Sequence, residues 1–351
     1  MSSSQTDAAV AQGQAITAIA QPPSPGEVLW DRLFRRCTFG IAVFTVLLTI
    51  YVVFSIGRVA MPAIHAYGWQ FMSGKTWDAN RAEYGILPAI AGTIYSSILG
   101  LIGGTVFGLA IAIFLSERFL SSGLESVLKF LGLAERSVWD TLPDRIENLL
   151  RTTIELLAAI PSVVYGLWGI FVVIPMVRPG ANWMHEHLGW IPIFGTTLSG
   201  PGLLPAAVVL AIMVLPTISA ISRDALVAVP PKIREAAFGI GATRWEAILA
   251  IFLPTAATGI LGAILLGFGR ALGETMALAM LAGNANVLSW SLFSPANTLA
   301  ALLANHFPEA GTVEVGALMY AALVLLTITL IVNILGTLIL QRADAELKGL
   351  R

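Results

Sequence analysis

The stretch EAAFGIGATRWEAILAIFLP, residues 235–254, is a polar, charged segment between two long apolar runs. Pro230-Pro231, just upstream, stops any helix that arrives from the preceding run, because proline lacks the N–H that an interior helical position needs. Gly241 permits a turn that a side chain would hinder. The segment therefore predicts two short helices, 232–238 and 244–253, which project together as a helix–turn–helix.

The composition of the chain indicates a membrane protein. Of its 351 residues, 56% are hydrophobic and 12% are charged, and the mean hydropathy is +0.81. Soluble domains carry about a quarter charged residues. Half that fraction leaves too little polar surface to keep a chain of this size in water, so lipid must be the solvent for much of it.

Long runs with few charges give the number of membrane-spanning segments. A helix needs about 20 apolar residues to cross the hydrocarbon, and these runs show no alternation of apolar and polar residues of the kind that a lipid-facing strand has. The sequence predicts an all-α integral membrane protein with six transmembrane helices at about 37–57, 88–115, 153–177, 203–222, 255–283 and 315–341.

Lys and Arg residues predict the orientation of these helices. Fifteen lie in the N-terminal segment, the 117–152 loop, the 223–252 loop and the C-terminal tail, four lie in the intervening loops, and Arg270 lies within a span. Positive charge accumulates on the cytoplasmic side. We expect both termini and the 223–254 loop in the cytoplasm. The expected domains are a disordered tail 1–28, a permease domain 29–342 and a tail 343–351.

Features within the spans suggest local structure. Gly100, Gly104 and Gly108 recur every four residues, so they share one helix face that a neighbouring helix can approach closely. Pro161 removes a backbone hydrogen bond, which predicts a kink in the third span that Ser162 partly compensates. The remaining feature is the 117–152 loop, which has apolar residues at helical spacing. It is predicted to be amphipathic, against either the membrane surface or a partner protein.

Arg270 and Glu274 are ionisable residues inside the fifth span. Such residues are costly in lipid and by default suggest a substrate pathway. Their i, i+4 spacing on one helix predicts mutual neutralisation, so a purely structural ion pair is the alternative. In a translocation cavity, the Arg270 guanidinium could instead bind an oxyanion in bidentate geometry.

Other chemistries find little support in the sequence. Cys37 is the only cysteine, so no internal disulfide and no multi-thiolate metal site is expected. His185 and His187 have no other ligands in evident reach, and no metal site is predicted. The net charge of −1 gives no sign of a nucleic-acid partner. No nucleophile–base set lies in the spans, so we expect no catalytic residues.

The separations in 235–254 carry a resemblance to a known family. Glu235-Ala236-Ala237, three residues, Gly241, nine residues and then Ile251-x-Leu253-Pro254 resemble the EAA loop of permease subunits of ABC importers. The resemblance implies that Glu235, Ala236, Ala237, Gly241, Leu253 and Pro254 form the contact with a separate ATPase. The chain has no G-x-x-x-x-G-K-[ST] loop, so ATP and Mg²⁺ would bind to that partner and this chain would hold no cofactor.

A second stretch narrows the resemblance. The sequence GRALGETMA, residues 269–277, followed by Gly283-Asn284, is similar to the signature of the PstC-type permeases of phosphate-specific transport (Pst) systems. This implies a type I ABC importer (MetI-like) fold in a bacterial inner membrane, and a phosphate pathway at Arg270, Glu274 and Thr275. The implied partners are a PstA-type sister permease, a PstB-type ATPase homodimer and an extracytoplasmic phosphate-binding protein.

Three alternatives remain open at this point. The first is an ABC permease for another oxyanion, such as sulfate, molybdate or phosphonate. The second is a secondary transporter driven by an ion gradient, which would be expected to show internal repeats. The third is an intramembrane enzyme. Co-purification of an ATPase and a second permease would separate these alternatives.

Overall fold

A computed structural model describes residues 24–117 and 142–349; for residues 142–144 and 346–349 it describes the backbone alone. Its secondary structure is almost entirely helical. The helices within these ranges are α1 Pro25–Tyr67, α2 Gln70–Ser73, α3 Leu87–Ser116, α4 Leu142–Leu157, α5 Ser162–Leu188, α6 Leu203–Val227, α7 Pro231–Gly239, α8 Arg244–Thr255, α9 Ala257–Leu272, α10 Met276–Leu281, α11 Leu299–His306 and α12 Thr312–Gly349. Strands β1 Trp77–Asp78 and β2 Glu83–Tyr84 form one antiparallel pair.

Five of these helices are long and apolar enough to cross a membrane: α1, α3, α5, α6 and α12. Helices α8 and α9 pass the same test together, with a bend of 71° between them. The described part of the chain thus holds up to six spans. This confirms the predicted all-α membrane class.

The chain divides into two units, residues 1–55 and residues 56–351. The described part of the first unit is the beginning of α1, whose apolar side chains are exposed. Its start is fixed by Ser24 and Glu27: the backbone N–H of each donates to the side chain of the other, at 2.7 and 3.3 Å. This capping box, with Pro25 as the first helical residue, begins the helix inside the predicted tail 1–28. Residues 1–23 lie outside the described ranges.

The third predicted span, 153–177, is wrong at its beginning. Helix α4 ends at Leu157, a turn follows, and α5 begins only at Ser162. Pro161 has extended backbone angles (φ −60°, ψ 140°) and is the N-cap of α5. The predicted kink at Pro161 and Ser162 is therefore a helix start, which suits a residue that has no N–H to donate. The irregularity inside α5 is instead a π turn at Gly169–Val173.

The fifth predicted span, 255–283, is interrupted rather than continuous. Helix α9 ends at Leu272, residues 273–275 are non-helical, and α10 begins at Met276. The last predicted span also differs, since α12 continues to Gly349 through most of the expected tail 343–351. Of the 117–152 loop, the structure describes Glu117 and, from residue 142, the beginning of α4.

Among the described helices of the second unit, α3 and α6 have the most extensive packing. The glycine stripe of α3 lies against side chains of α6 that have the same four-residue spacing. A Cβ atom built on Gly100 would lie 2.7 Å from Leu210 Cγ, and one on Gly108 would lie 3.1 Å from Ile218. The predicted packing role of the stripe is confirmed, because only a residue without a Cβ allows this approach.

One end of the second unit carries the α7–α8 hairpin and is called here the hairpin end; the opposite end carries β1 and β2. At the opposite end, Glu314 at the start of α12 is 8% exposed. Its Oε1 accepts a hydrogen bond from Trp77 Nε1 at 3.0 Å and lies 3.2 Å from His306 Nδ1. Burial raises the pKa of the nearby Tyr84, and the Glu314 carboxylate adds to the effect. This cluster fastens the strand pair to α11 and α12.

Candidate functional site

The predicted helix–turn–helix is present as the α7–α8 hairpin. Pro231 is the first residue of α7, and Gly241 makes the turn with φ +85°, a conformation that favours glycine. Thr243 then caps α8: its Oγ1 accepts from the Glu246 backbone N–H at 3.4 Å, and the Glu246 carboxylate accepts from the Thr243 N–H at 2.8 Å. Three local signals therefore determine where α7 and α8 begin and end: Pro230-Pro231, Gly241 and the Thr243–Glu246 capping box.

The E-A-A triplet is divided between two environments. Glu235 and Ala236 are exposed, whereas Ala237 is buried against a cluster that includes Leu226 and Phe252. The prediction that both alanines face a partner is wrong for Ala237. Its side chain packs the hairpin against the rest of the second unit. Glu235 has no ion-pair partner among the described residues, so its carboxylate is available to another chain.

Arg234, next to the triplet, connects α7 to three other elements. One guanidinium nitrogen donates to Glu117 Oε1, just after α3, at 2.7 Å. The other donates to the Leu226 carbonyl of α6 at 2.7 Å. The guanidinium carbon lies 4.6 Å from the ring centre of Phe252 in α8, a cation–π contact. A single side chain thus fixes the hairpin to α3 and α6.

The outward face of the hairpin is apolar as well as charged. Exposed large side chains surround the turn, with Ile240 at its tip 80% exposed. The others are Phe238, Trp245 and Leu249. Contiguous exposed apolar side chains next to an unpaired carboxylate are typical of a protein–protein contact surface.

The hairpin continues into α9 through a bend. Residues Ile248–Phe252 form a π turn, and Pro254 follows it within α8. Pro254 has no N–H, so it cannot donate a hydrogen bond to the carbonyl four residues earlier, in the π turn. The chain then bends by 71° at Ala256. Leu253 is half-buried and Pro254 is exposed.

Arg270 lies in the last turn of α9, and its side chain is exposed. The next residue, Ala271, packs with Leu210 and Val214 in the central part of α6, so Arg270 lies near the middle of the membrane-spanning bundle. Tyr165 of α5 lies within range of the Arg270 charge. No carboxylate within the described ranges forms an ion pair with it.

The predicted pairing of Arg270 with Glu274 is wrong, because the helix that would place them on one face ends between them. Glu274 follows the end of α9, and its Oε1 accepts a hydrogen bond from the Ala277 N–H at 3.3 Å. It therefore caps α10. Thr275 Oγ1 donates to the Gly273 carbonyl at 3.1 Å within the break.

Helix α10 is held in place by the glycine–asparagine pair that follows it. Gly283 has φ +97°, and a Cβ there would lie 2.7 Å from Pro295 Cβ. Asn284 Nδ2 donates to the Ala279 carbonyl at 2.8 Å. On its other side α10 packs closely on α5, where a Cβ on Gly166 would lie 2.6 Å from Met280 Sδ. These contacts position the break that carries Glu274 and Thr275.

Two residues that shape this site are not predicted from the sequence. Arg234 looks like an ordinary loop cation, and its partner Glu117 lies 117 residues away. Tyr165 lies in an apolar span with nothing nearby in sequence to indicate that it lies within range of the Arg270 charge. Local sequence offers no signal for these contacts, since each depends on the packing of distant helices.

Family and sequence comparisons agree with this architecture. Residues 141–345 match the family described as "Binding-protein-dependent transport system inner membrane component". The phosphate transport system permease protein PstC of Pasteurella multocida is 36% identical over 90% of this chain and 93% of the relative. The PstC of Haemophilus influenzae is 35% identical over 91% and 95%, and that of Mesorhizobium japonicum is 33% identical over 91% and 92%.

Among solved structures, an inward-facing form of the MetNI methionine ABC transporter matches with a TM-score of 0.49 and 17% identity, over 74% of this chain and 95% of that one.

The family and sequence matches set aside a gradient-driven secondary transporter and an intramembrane enzyme. The relatives are membrane components of transport systems. With its bundle of membrane-spanning helices and its α7–α8 hairpin, the chain is a multi-pass, channel-forming subunit of the inner membrane and not an enzyme. It belongs to the PstC family of permeases, within the inner-membrane components of binding-protein-dependent transport systems.

Proposed function

We propose that this chain carries inorganic phosphate through the inner membrane into the cell as one permease of an ATP-driven importer. The observation that carries the proposal is Arg270, an exposed guanidinium near the middle of the bundle with no carboxylate partner in the described ranges. An unneutralised arginine at this depth is costly, and such residues in membrane proteins mark ion pathways. Relatives named phosphate transport permeases favour phosphate as the ion.

Arg270 binds the passing oxyanion through paired N–H donors, a geometry that suits phosphate. Glu274 does not neutralise Arg270; it accepts the Ala277 N–H and so fixes where α10 begins. Thr275 contributes a hydroxyl at the same break. The pathway residues are therefore Arg270 and Thr275, with Glu274 as a positioning residue.

The α7–α8 hairpin receives the ATPase. In this proposal a homodimer of ATPase chains, which binds ATP and Mg²⁺, docks against Ile240 and the apolar side chains around it. The unpaired Glu235 carboxylate meets a basic group on the ATPase. Ala236 allows close approach, and Ala237 holds the hairpin to the rest of the permease.

Movement of the hairpin reaches Arg270 by two connections. The chain itself runs through the bend at Ala256 into α9, and Arg234 joins the hairpin to α3 and α6. Closure of the ATPase dimer tilts these helices together and opens the cavity outward. Hydrolysis reverses the tilt and releases phosphate inward.

The remaining partners and the orientation follow from the same proposal. A sister permease completes the cavity, and an extracytoplasmic binding protein delivers phosphate at the opposite end. Both termini and the hairpin lie in the cytoplasm, as the distribution of Lys and Arg favours.

Uptake of radiolabelled phosphate by proteoliposomes that hold the complete transporter tests the pathway. We expect Arg270→Gln to reduce uptake at least tenfold, roughly the loss of one charge-assisted hydrogen-bonding pair, while ATP hydrolysis continues. Arg270→Lys should retain part of the uptake. Uptake by Arg270→Gln equal to that of the parent chain would refute the pathway.

The same proteoliposomes distinguish phosphate from other oxyanions. Sulfate, molybdate and phosphonate present similar oxygens to a guanidinium, so Arg270 alone does not select among them. Phosphate should be accumulated and sulfate should not when the cognate binding protein is supplied. Accumulation of sulfate in preference to phosphate would show that phosphate is not the substrate.

A further inference from the structure

Helix α4 has one face toward the protein and one face that the described chain leaves uncovered. Arg151, Ile154 and Glu155, spaced i, i+3, i+4, line a small cavity of about 80 Å³. The rest of the lining comes from the hairpin ends of α3 and α6: Leu115, Ser219, Ala220, Arg223 and Asp224. The polar face of α4 therefore packs toward the ends of α3 and α6.

Charged side chains lie on both sides of this cavity. Arg151 Nε donates to Glu155 Oε1 at 2.8 Å, and Arg223 pairs with Asp224 at 3.3 Å. The pKa of Arg151 is raised, chiefly by the Glu155 carboxylate and further by Asp224 across the cavity. The shared cavity lining places this face of α4 toward α6.

The uncovered face is apolar. Leu149 and Leu156 lie roughly 150° around the helix from the cavity face, at 100° per residue. They are 66% and 62% exposed. Two large aliphatic side chains in water would lose the burial that stabilises an amphipathic helix, so another apolar phase must cover them.

The end of α4 is tied to a membrane-spanning helix. Only residues 158–161 separate it from α5, and they form a tight turn, with the Ala158 N–H donating to the Glu155 carbonyl at 3.1 Å. Tyr165, in the first turns of α5, donates through its hydroxyl to the Leu157 carbonyl at 2.8 Å. Leu157 thus lies at the level where α5 enters the membrane.

We propose that α4 lies in the membrane–water interface, with Leu149 and Leu156 among the acyl chains of uncharged phospholipid. Its continuity with α5 favours lipid over a soluble partner. The helix carries three acidic and two basic residues, so it has no excess of positive charge to recruit anionic lipid. For the described part of the 117–152 loop, the membrane surface is thus favoured over a partner protein. This placement of α4 does not depend on which substrate is transported.

Fluorescence quenching by lipid tests the proposal in the complete transporter. Cys37, the only cysteine, is replaced by serine, and single cysteines are introduced at Leu149 and Leu156. The matched control is a cysteine at Asn148, which is exposed and lies roughly 100° around the same helix from Leu149. Each variant is labelled with an environment-sensitive dye and placed in nanodiscs of phosphatidylcholine with brominated acyl chains.

We expect quenching at Leu149→Cys and Leu156→Cys to be severalfold stronger than at Asn148→Cys. If one of the two leucine variants fails to assemble, the other, compared with Asn148→Cys, is sufficient to test the proposal. Equal quenching at all positions would overturn the proposal. The proposal would also be overturned if brominated lipid did not quench a label at position 149 and addition of the ATPase shielded that label. Quenching that requires anionic lipid would overturn the assignment to uncharged phospholipid.

Discussion

Arg234 of α7 and Glu117 at the end of α3 form an ion pair of 2.7 Å, with the two side chains 23% and 10% exposed. The pair joins the α7–α8 hairpin to the bundle at a point largely shielded from water. Because the Leu226 carbonyl and the Phe252 ring also contact Arg234, the guanidinium holds one geometry. The hairpin is therefore rigidly attached to the helices that it is proposed to move.

Breaking this ion pair should uncouple ATP hydrolysis from transport. Arg234→Gln leaves Glu117 shielded without a counter-ion, and we expect a loss of about 1–3 kcal/mol in the free energy of unfolding. Transport per ATP hydrolysed should fall more than the ATPase rate. Thermal unfolding in detergent and the ratio of uptake to hydrolysis measure the two effects.

A double-mutant cycle separates the pair from nonspecific damage. Arg234→Gln combined with Glu117→Gln should lose less stability than the sum of the two single changes, because no unpaired charge remains. Lys232→Gln, an exposed position on the same helix, is the matched control and should change neither quantity. Strict additivity would show that the ion pair contributes no coupling energy.

The same glycine-to-alanine substitution should have opposite effects on stability in the glycine stripe of α3 and in α1. At Gly100 a methyl group would lie 2.7 Å from Leu210 Cγ, inside a packed interface. Gly100→Ala should therefore lower stability by about 1–3 kcal/mol. At Gly57, in α1, a Cβ would meet nothing within 4 Å, and Gly57→Ala should leave stability unchanged or raise it by about 0.5–1 kcal/mol.

Thermal unfolding of the two purified variants measures this difference. If Gly100→Ala proved as stable as Gly57→Ala, the close contact of α3 with α6 would be wrong.

Glu274 should tolerate the loss of its charge but not the loss of its oxygen. Its Oε1 accepts the Ala277 N–H, and the amide oxygen of Gln can accept the same bond. Glu274→Gln is therefore expected to retain most of the phosphate uptake. Glu274→Ala should destabilise the start of α10 by about 1 kcal/mol, as loss of a helix cap does, and should reduce uptake.

The comparison of these two variants distinguishes a cap from a counter-ion. If Glu274→Gln lost as much uptake as Glu274→Ala, the carboxylate charge itself would matter, and the interpretation of Glu274 as a positioning residue would fail. Thr275→Val, which removes the hydroxyl at the same break, serves as a companion variant of similar size.

The features that can be predicted correctly from sequence are those set by nearby residues. The α7–α8 hairpin depends on Pro231, Gly241 and the cap at Thr243, all within a few residues of the helices that they begin or end. The glycine stripe depends on a simple spacing. Each of these signals operates over one or two helical turns.

The features that sequence does not predict depend on distant contacts. Nothing in GRALGETMA forces a helix to end before Glu274; the break is held by α10 packing on Gly166 and by the turn at Gly283. The partner of Arg234 lies in another helix. Pro161 is ambiguous for a local reason, since proline can begin a helix as well as kink one.

Removing Glu314 should release the strand pair at the opposite end of the permease. In the parent chain Trp77 Nε1 donates to the buried Glu314 carboxylate. Glu314→Leu leaves that N–H without an acceptor, which costs about 1–3 kcal/mol. Glu314→Gln keeps an oxygen at the same place and should cost less. Tryptophan fluorescence reports the change, and Trp77→Phe identifies its share of the signal. An equal loss of stability in the two Glu314 variants would mean that the charge near His306, rather than the bond to Trp77, holds the strand pair.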